Sequence, residues 1–177
     1  SKGSDGINTT GSDLEVAAYK NIVEWLNGKR KAYSDKTSNH EVKADWSNGN
    51  VAMTGLSWAG TTTFGVASTG VEGLKTIVPA AGIASWYDHF NSQGSPLDTG
   101  ASNDLSWLSV YTSGRILDKE DWDKIKDYYA AYITKLNELQ HKDGHNYNEE
   151  YAKRDYTLNA ANLKAAPLII QGLNDDN

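Results

Sequence analysis

A chain of 177 residues is long enough for one domain with a real core. Its formal charge of −6 and pI of about 5.1 lack the basic footprint of a nucleic-acid binder, and no stretch approaches the roughly 18 apolar residues of a membrane span. There is no Cys, so disulfides, thiolate chemistry and Cys-based zinc sites are excluded, which fits a cytoplasmic protein. Six Trp and ten Tyr stand against two Phe, and aromatic rings with a polar handle suit half-buried walls and pockets.

Residues 1–12 are polar and Gly-rich, a loop rather than a secretory leader. Ser12 or Asp13 is placed to cap a helix, and Leu14, Ala17, Ala18, Ile22, Trp25 and Leu26 recur at helical spacing until Gly28 stops the run. Lys29-Arg30-Lys31 reads as a solvated helix end, and residues 34–50 as polar turns. Val51–Gly55 is a short apolar run expected to be a buried strand, and Ser57 to about Ser68 a helix rich in small residues. Leu74–Val78 is a second strand candidate. Residues 91–103 read as loop, and 104–160 as almost wholly helical. There Trp122, Ile125, Tyr128, Tyr129, Tyr132, Ile133 and Leu136 form a stripe that ends before Asp143-Gly144, and a shorter helix lies around 148–154. Ala166–Gly172 is a third strand, also expected to be buried. Apolar strands alternating with helices predict an α/β fold: a short parallel sheet flanked by helices, with about 91–160 as a helical insertion or lid.

The sharpest local signal is Gly55-Leu56-Ser57-Trp58-Ala59-Gly60, at the junction of strand and helix. A nucleophile elbow requires small neighbours two residues before and after its Ser, because the turn is tight. Gly55 and Ala59 meet that need, although a second Gly is usual where Ala59 stands. The helix behind Ser57 would aim the Trp58 N–H at a developing oxyanion. A Ser serving only as helix N-cap would give the same local pattern, so the residues alone leave both readings open.

Three blocks extend this signal: residues 13–28 (DLEVAAYKNIVEWLNG), residues 51–90 (VAMTGLSWAGTTTFGVASTGVEGLKTIVPAAGIASWYDHF) and residues 151–177 (YAKRDYTLNAANLKAAPLIIQGLNDDN). In order and spacing they resemble the Xaa-Pro dipeptidyl-peptidases, serine hydrolases related to cocaine esterase and the α-amino-acid ester hydrolases. The resemblance implies a partial α/β-hydrolase catalytic domain over 1–177 from a serine exopeptidase that releases Xaa-Pro dipeptides through an acyl-enzyme. Ser57 maps to its nucleophile, and Asp175, in Gly172-Leu173-Asn174-Asp175, to the orienting acid, with Asp176 as neighbouring alternative. Trp58 contributes an oxyanion N–H. Trp86, Tyr87 and Phe90 map to aromatics that help wall the proline pocket, while His89 departs from the expected Tyr. The implied partner is a peptide with proline at its second position, and no cofactor, metal, nucleic acid or membrane is called for. A homodimeric parent is compatible with the resemblance and is left open by the residues.

A serine triad also needs an imidazole. His40 sits in a polar connector and His89 follows the second strand. His141 and His145 have metal-ligand spacing, but Gly144 interrupts their helix. None matches the family's base, so the chain reads as a fragment expected to be inactive alone. Two further readings stand beside this one: a related esterase or amidase of the cocaine-esterase type, and a non-catalytic module that keeps the fold.

Overall fold

The computed structural model describes residues 6–97, 104–112 and 118–175. The chain divides into two compact units. A sheet unit comprises Val16–Ala84 and Tyr156–Asp175. A helical unit comprises the residues before Val16 together with Ser85–Asp155.

In the sheet unit, β3 (Val51–Leu56), β4 (Leu74–Ala80) and β7 (Ala166–Pro167) form a parallel sheet in the order β3-β4-β7. Helix α2 (Trp58–Ser68) connects β3 to β4 and packs on both, the crossover that parallel neighbours require. Its small residues allow close approach. A Cβ on Gly65 would come within 2.7 Å of the Val16 side chain and 3.1 Å of the Tyr156 ring. Around this contact lie the buried Val23, Val66, Ala67, Val71, Leu74 and Ile77. The third strand is regular only at Ala166–Pro167. Beyond it, the Leu168 and Ile170 N–H groups still donate to the Ile77 and Pro79 carbonyls, each at 2.9 Å.

The expectation of three buried strands holds for β4 alone. β3 alternates between half-buried and exposed residues, and Leu168, Ile169 and Ile170 are 61%, 59% and 53% exposed. Among the described residues β3 and β7 are the two edges of this sheet, each with one strand neighbour. The polar stretch 34–50 also holds more order than expected: β1 (Ala32–Tyr33) and β2 (Glu41–Val42) pair antiparallel. Their connection is built on Asp35, whose carboxylate accepts from the Ser38 and Ser34 hydroxyls and the Thr37 and Ser38 N–H groups.

Helix α1 (Asp13–Leu26) begins in one unit and continues into the other. The Glu15 carboxylate accepts from the Gly11 N–H at 2.8 Å, a carboxylate at the positive end of the helix. Gly28, at φ +76°, follows its C-terminus. The helix stands as expected, but its buried line is Val16 and Val23, whereas Leu14, Ala17, Ala18 and Ile22 are exposed.

The helical unit contains α3 (Trp86–Phe90), a two-rung ribbon of β5 (Asn91–Ser92) and β6 (Ser95–Pro96), α4 (Leu105–Thr112), α5 (Lys119–Gln140) and α6 (Glu149–Ala152). The ribbon lies where only loop was expected, and Gln93 and Gly94 turn it with φ +50° and +81°. Along α5 the stripe buries Ile125, Tyr129 and Leu136, half-buries Trp122, Tyr132 and Ile133, and leaves Tyr128 exposed at its margin. No strand occurs among the described residues of 104–160. Arg154, 2% exposed, reaches back to the start of the chain. Its guanidinium donates to the carbonyls of Thr9, Thr10 and Glu150 and to the Glu150 carboxylate. No helix among the described residues is long and apolar enough to cross a membrane.

Candidate active site

Ser57 is the single residue between the end of β3 and the start of α2. Its backbone lies at φ 57° and ψ −123°, outside the regions open to L-residues without strain. Such a conformation costs on the order of 1–3 kcal/mol and persists only when the surroundings over-determine it. Those surroundings are explicit. The Ser57 N–H donates to the Ala80 carbonyl at 2.8 Å, and its own carbonyl accepts from the Thr61 N–H at 2.9 Å. Its side chain makes no capping bond to α2, and the residue is exposed. The N-cap alternative therefore loses its physical content, because a capping Ser bonds the first-turn N–H groups with its hydroxyl.

Small residues make the turn possible. A Cβ on Gly55 would stand 2.4 Å from the Ala59 carbonyl carbon and 2.6 Å from the Ala59 Cβ. The role expected of Gly55 and Ala59 is thus a direct contact, and Ala59 is tolerated because Gly55 vacates the space. Gly60, already part of the sequence signal around Ser57, and Gly82 belong to the same cluster. A Cβ on Gly60 would be 2.8 Å from the Ala80 carbonyl oxygen and 2.9 Å from that of Gly55; one on Gly82 would meet the Gly60 carbonyl carbon at 2.9 Å. Their signal in the sequence is position: Gly60 lies in the first turn of α2 and Gly82 two residues past β4. The Thr61 hydroxyl, accepting from the Ile83 N–H at 2.8 Å, secures the segment after β4.

Trp58 opens α2, so its N–H lies in the first turn, at the positive end of the helix. Asp175 follows β7 and accepts from the Gln171 side-chain amide at 3.1 Å. The strands fix which edge it occupies. Ser57 bonds to Ala80, Ala80 bridges Ile170 in parallel, and the Ala81 N–H donates to the Ile170 carbonyl at 2.8 Å. Nucleophile and acid candidates therefore follow the carboxyl ends of β3 and β7, on opposite sides of β4, where open α/β sheets place their ligands. The alternative acid, Asp176, lies outside the described residues.

Trp86, Tyr87 and Phe90 all fall on α3 of the helical unit. Trp86 and Phe90 are each 1% exposed and pack ring to ring at 5.9 Å, and the His89 ring lies 4.8 Å from Phe90. Tyr87 is half-buried. Its hydroxyl donates to the His145 carbonyl and accepts from the Gly94 N–H, both at 3.0 Å. Of this trio only Tyr87 presents a substantial surface. His141 and His145 approach each other at 5.7 Å between ring centres.

The family model for X-Pro dipeptidyl-peptidases (S15 family) matches residues 1–177. The chain is 39% identical over 176 residues to an Xaa-Pro dipeptidyl-peptidase of Pediococcus pentosaceus, covering 98% of this chain and 22% of that protein. It is 40% identical to a putative Xaa-Pro dipeptidyl-peptidase of Bacillus anthracis, over 98% of this chain and 28% of that one. For an Xaa-Pro dipeptidyl-peptidase of Streptococcus pneumoniae the identity is 40%, over 99% and 24%. The chain thus spans about a quarter of the length of these relatives. Among solved structures, a CocE/NonD family hydrolase from Staphylococcus aureus superposes with a TM-score of 0.55 at 21% identity, over 93% of this chain and 24% of that one, which fixes the fold as α/β-hydrolase-like. With a family model matched from first residue to last and a strained Ser at the strand-to-helix junction, the chain belongs to the X-Pro dipeptidyl-peptidase (S15) family.

Proposed function

We propose that these 177 residues carry the nucleophile and the orienting acid of a serine exopeptidase that releases Xaa-Pro dipeptides from peptide N-termini. The observation that carries this reading is the backbone of Ser57, held at φ 57° between β3 and α2 with its side chain exposed. Ser57 Oγ attacks the carbonyl carbon of the prolyl residue and gives up its proton to an imidazole base. The tetrahedral oxyanion is met by the Trp58 N–H. Collapse expels the amine of the next residue, which takes the proton back from the imidazole, and water then hydrolyses the acyl-enzyme. Asp175 orients and stabilises the imidazolium. Trp86 and Phe90 form the rigid backing, and Tyr87 the exposed surface, of a wall for the proline ring. The segment from about 91 to 160 acts as a helical lid. The base comes from outside the 177 residues, since His89 packs against Trp86 and Phe90 and the other three histidines lie in turns or connectors.

The test uses a longer protein containing this chain, and the chain alone, on an Ala-Pro anilide. Expected are turnover by the longer protein, its loss in Ser57→Ala, and no turnover by the chain alone. Activity of the chain alone that depends on Ser57 would place a base within it, and His89 would be the first residue to replace. Turnover that survives Ser57→Ala in the longer protein would sink the reading. A second reading, an esterase or amidase, draws on the structural likeness to a CocE/NonD hydrolase. Preference for simple acyl esters over prolyl anilides in the same assay would favour it. A longer protein inert to both, with an intact fold, would favour the non-catalytic module.

A further inference from the structure

The chain contains two Asn-Gly pairs, Asn27-Gly28 and Asn48-Gly49, and the structure treats them in opposite ways. An Asn followed by Gly is prone to an intramolecular reaction. The Gly backbone nitrogen attacks the Asn Cγ, forming a C–N bond. The Cγ–Nδ2 bond breaks, and the Gly proton leaves with the amide nitrogen as ammonia. Water then opens the resulting cyclic imide at either carbonyl, giving aspartate or isoaspartate. Gly permits the attack because it has no Cβ in the way and turns freely about its backbone.

We infer that Asn48 is a site of spontaneous deamidation and isoaspartate formation, and that Asn27 is protected. Asn48 is exposed, and its Oδ1 accepts from the Asn50 N–H at 3.0 Å. That bond polarises the carbonyl under attack and stabilises the developing oxyanion. The Gly49 N–H donates to the Ser47 hydroxyl at 3.1 Å, a side-chain partner that can rotate away, and its proton passes to hydroxide or buffer base in the surrounding water. The turn therefore supplies a donor for the electrophile, and its exposure admits the water and base that the reaction needs.

Asn27 has none of this freedom. Its Nδ2, the leaving group, donates to the Gly49 carbonyl at 2.7 Å. The Gly28 N–H is engaged by the Trp25 carbonyl at 3.0 Å. The side chain is wedged against Gly73, where a Cβ would lie 2.7 Å from its Cβ, Cγ and Nδ2. The two sites are also linked, because Asn27 holds the residue that follows Asn48. An isoaspartate at 48 adds a backbone carbon immediately before Gly49, displaces the carbonyl that Asn27 grips, and adds a carboxylate ahead of β3, the strand leading to Ser57.

The experiment is peptide mapping by mass spectrometry of the protein incubated in mildly alkaline buffer, folded and in urea, with isoaspartate read by an isoaspartyl methyltransferase. Expected in the folded protein is conversion at Asn48 severalfold faster than at Asn27, and at least as fast as at Asn48 in urea; in urea the two sites converge. Folded-state conversion at Asn27 equal to that at Asn48, or conversion at Asn48 slower folded than in urea, would overturn the assignment.

Discussion

At Ser57 the chain maintains a backbone strain that a glycine would not feel, since φ +57° costs an L side chain but not Gly. Ser57→Gly is expected to raise stability by about 1 kcal/mol relative to Ser57→Ala, read as a shift of the urea midpoint, while both remove the hydroxyl. Around it the opposite substitution is costly. Gly55→Ala drives a Cβ to 2.4 Å from the Ala59 backbone, and an overpacking cost of about 2–3 kcal/mol is expected from the same measurement. Residue chemistry also sets a pH dependence. Burial pushes the Glu150 carboxyl up, but hydrogen bonds from Lys153 and Arg154 outweigh it and leave the group below its usual 4.5. A folded pKa below the unfolded one stabilises fully above the unfolded value, and the contribution is lost as pH falls through the folded one. Glu150→Gln should therefore be less stable than the parent near neutrality and converge with it well below pH 4.5 in an acid titration of stability.

The elements differ in how far the sequence disclosed them. β3, α2 and β4 were legible because an apolar run, a cluster of small residues and a second apolar run follow one another without ambiguity. In α5 the stripe from Trp122 to Leu136 was legible for the same reason: large side chains at helical spacing leave only one face to bury. Helix α1 was legible as a helix but not in its orientation. Leu14, Ile22, Val16 and Val23 are all apolar, and only the close approach at Gly65 selects the valine line. The two ribbons escaped because two-residue strands carry no period, and in β5–β6 Asn, Ser and Gln disguise the pairing. One of them has a consequence for the candidate pocket. The Tyr87 hydroxyl joins the β5–β6 turn, through the Gly94 N–H, to the turn after α5, through the His145 carbonyl. Tyr87→Phe should accelerate hydrogen exchange at the Gly94 amide while leaving the interior amides of α5 unchanged.

For the whole molecule, the most conspicuous unfinished surface is the β7 side of the sheet. Leu168 and Ile170 direct their N–H groups to β4, so by the alternation of a strand the backbone of Ile169 faces outward. An apolar edge of this kind templates association. The isolated chain is expected to self-associate at high concentration, and Ile169→Lys should suppress that in light scattering with little change in unfolding midpoint. The Ser57 elbow was found in the sequence from residues close together in the chain. Its wider support was not, since Ala80, Gly82 and Ile170 meet it only through the parallel register. Long sequence separation also governs the clamp at Arg154, which bonds the Thr10 carbonyl 144 residues earlier. On a ribosome adding about 5–20 residues per second, those partners are made roughly 7–29 s apart. Thr9 and Thr10 wait without their guanidinium throughout, and for the second half of that interval β3, α2 and β4 are already synthesised. Within these 177 residues, the Thr9–Thr10 backbone is thus among the last parts to be secured during biogenesis.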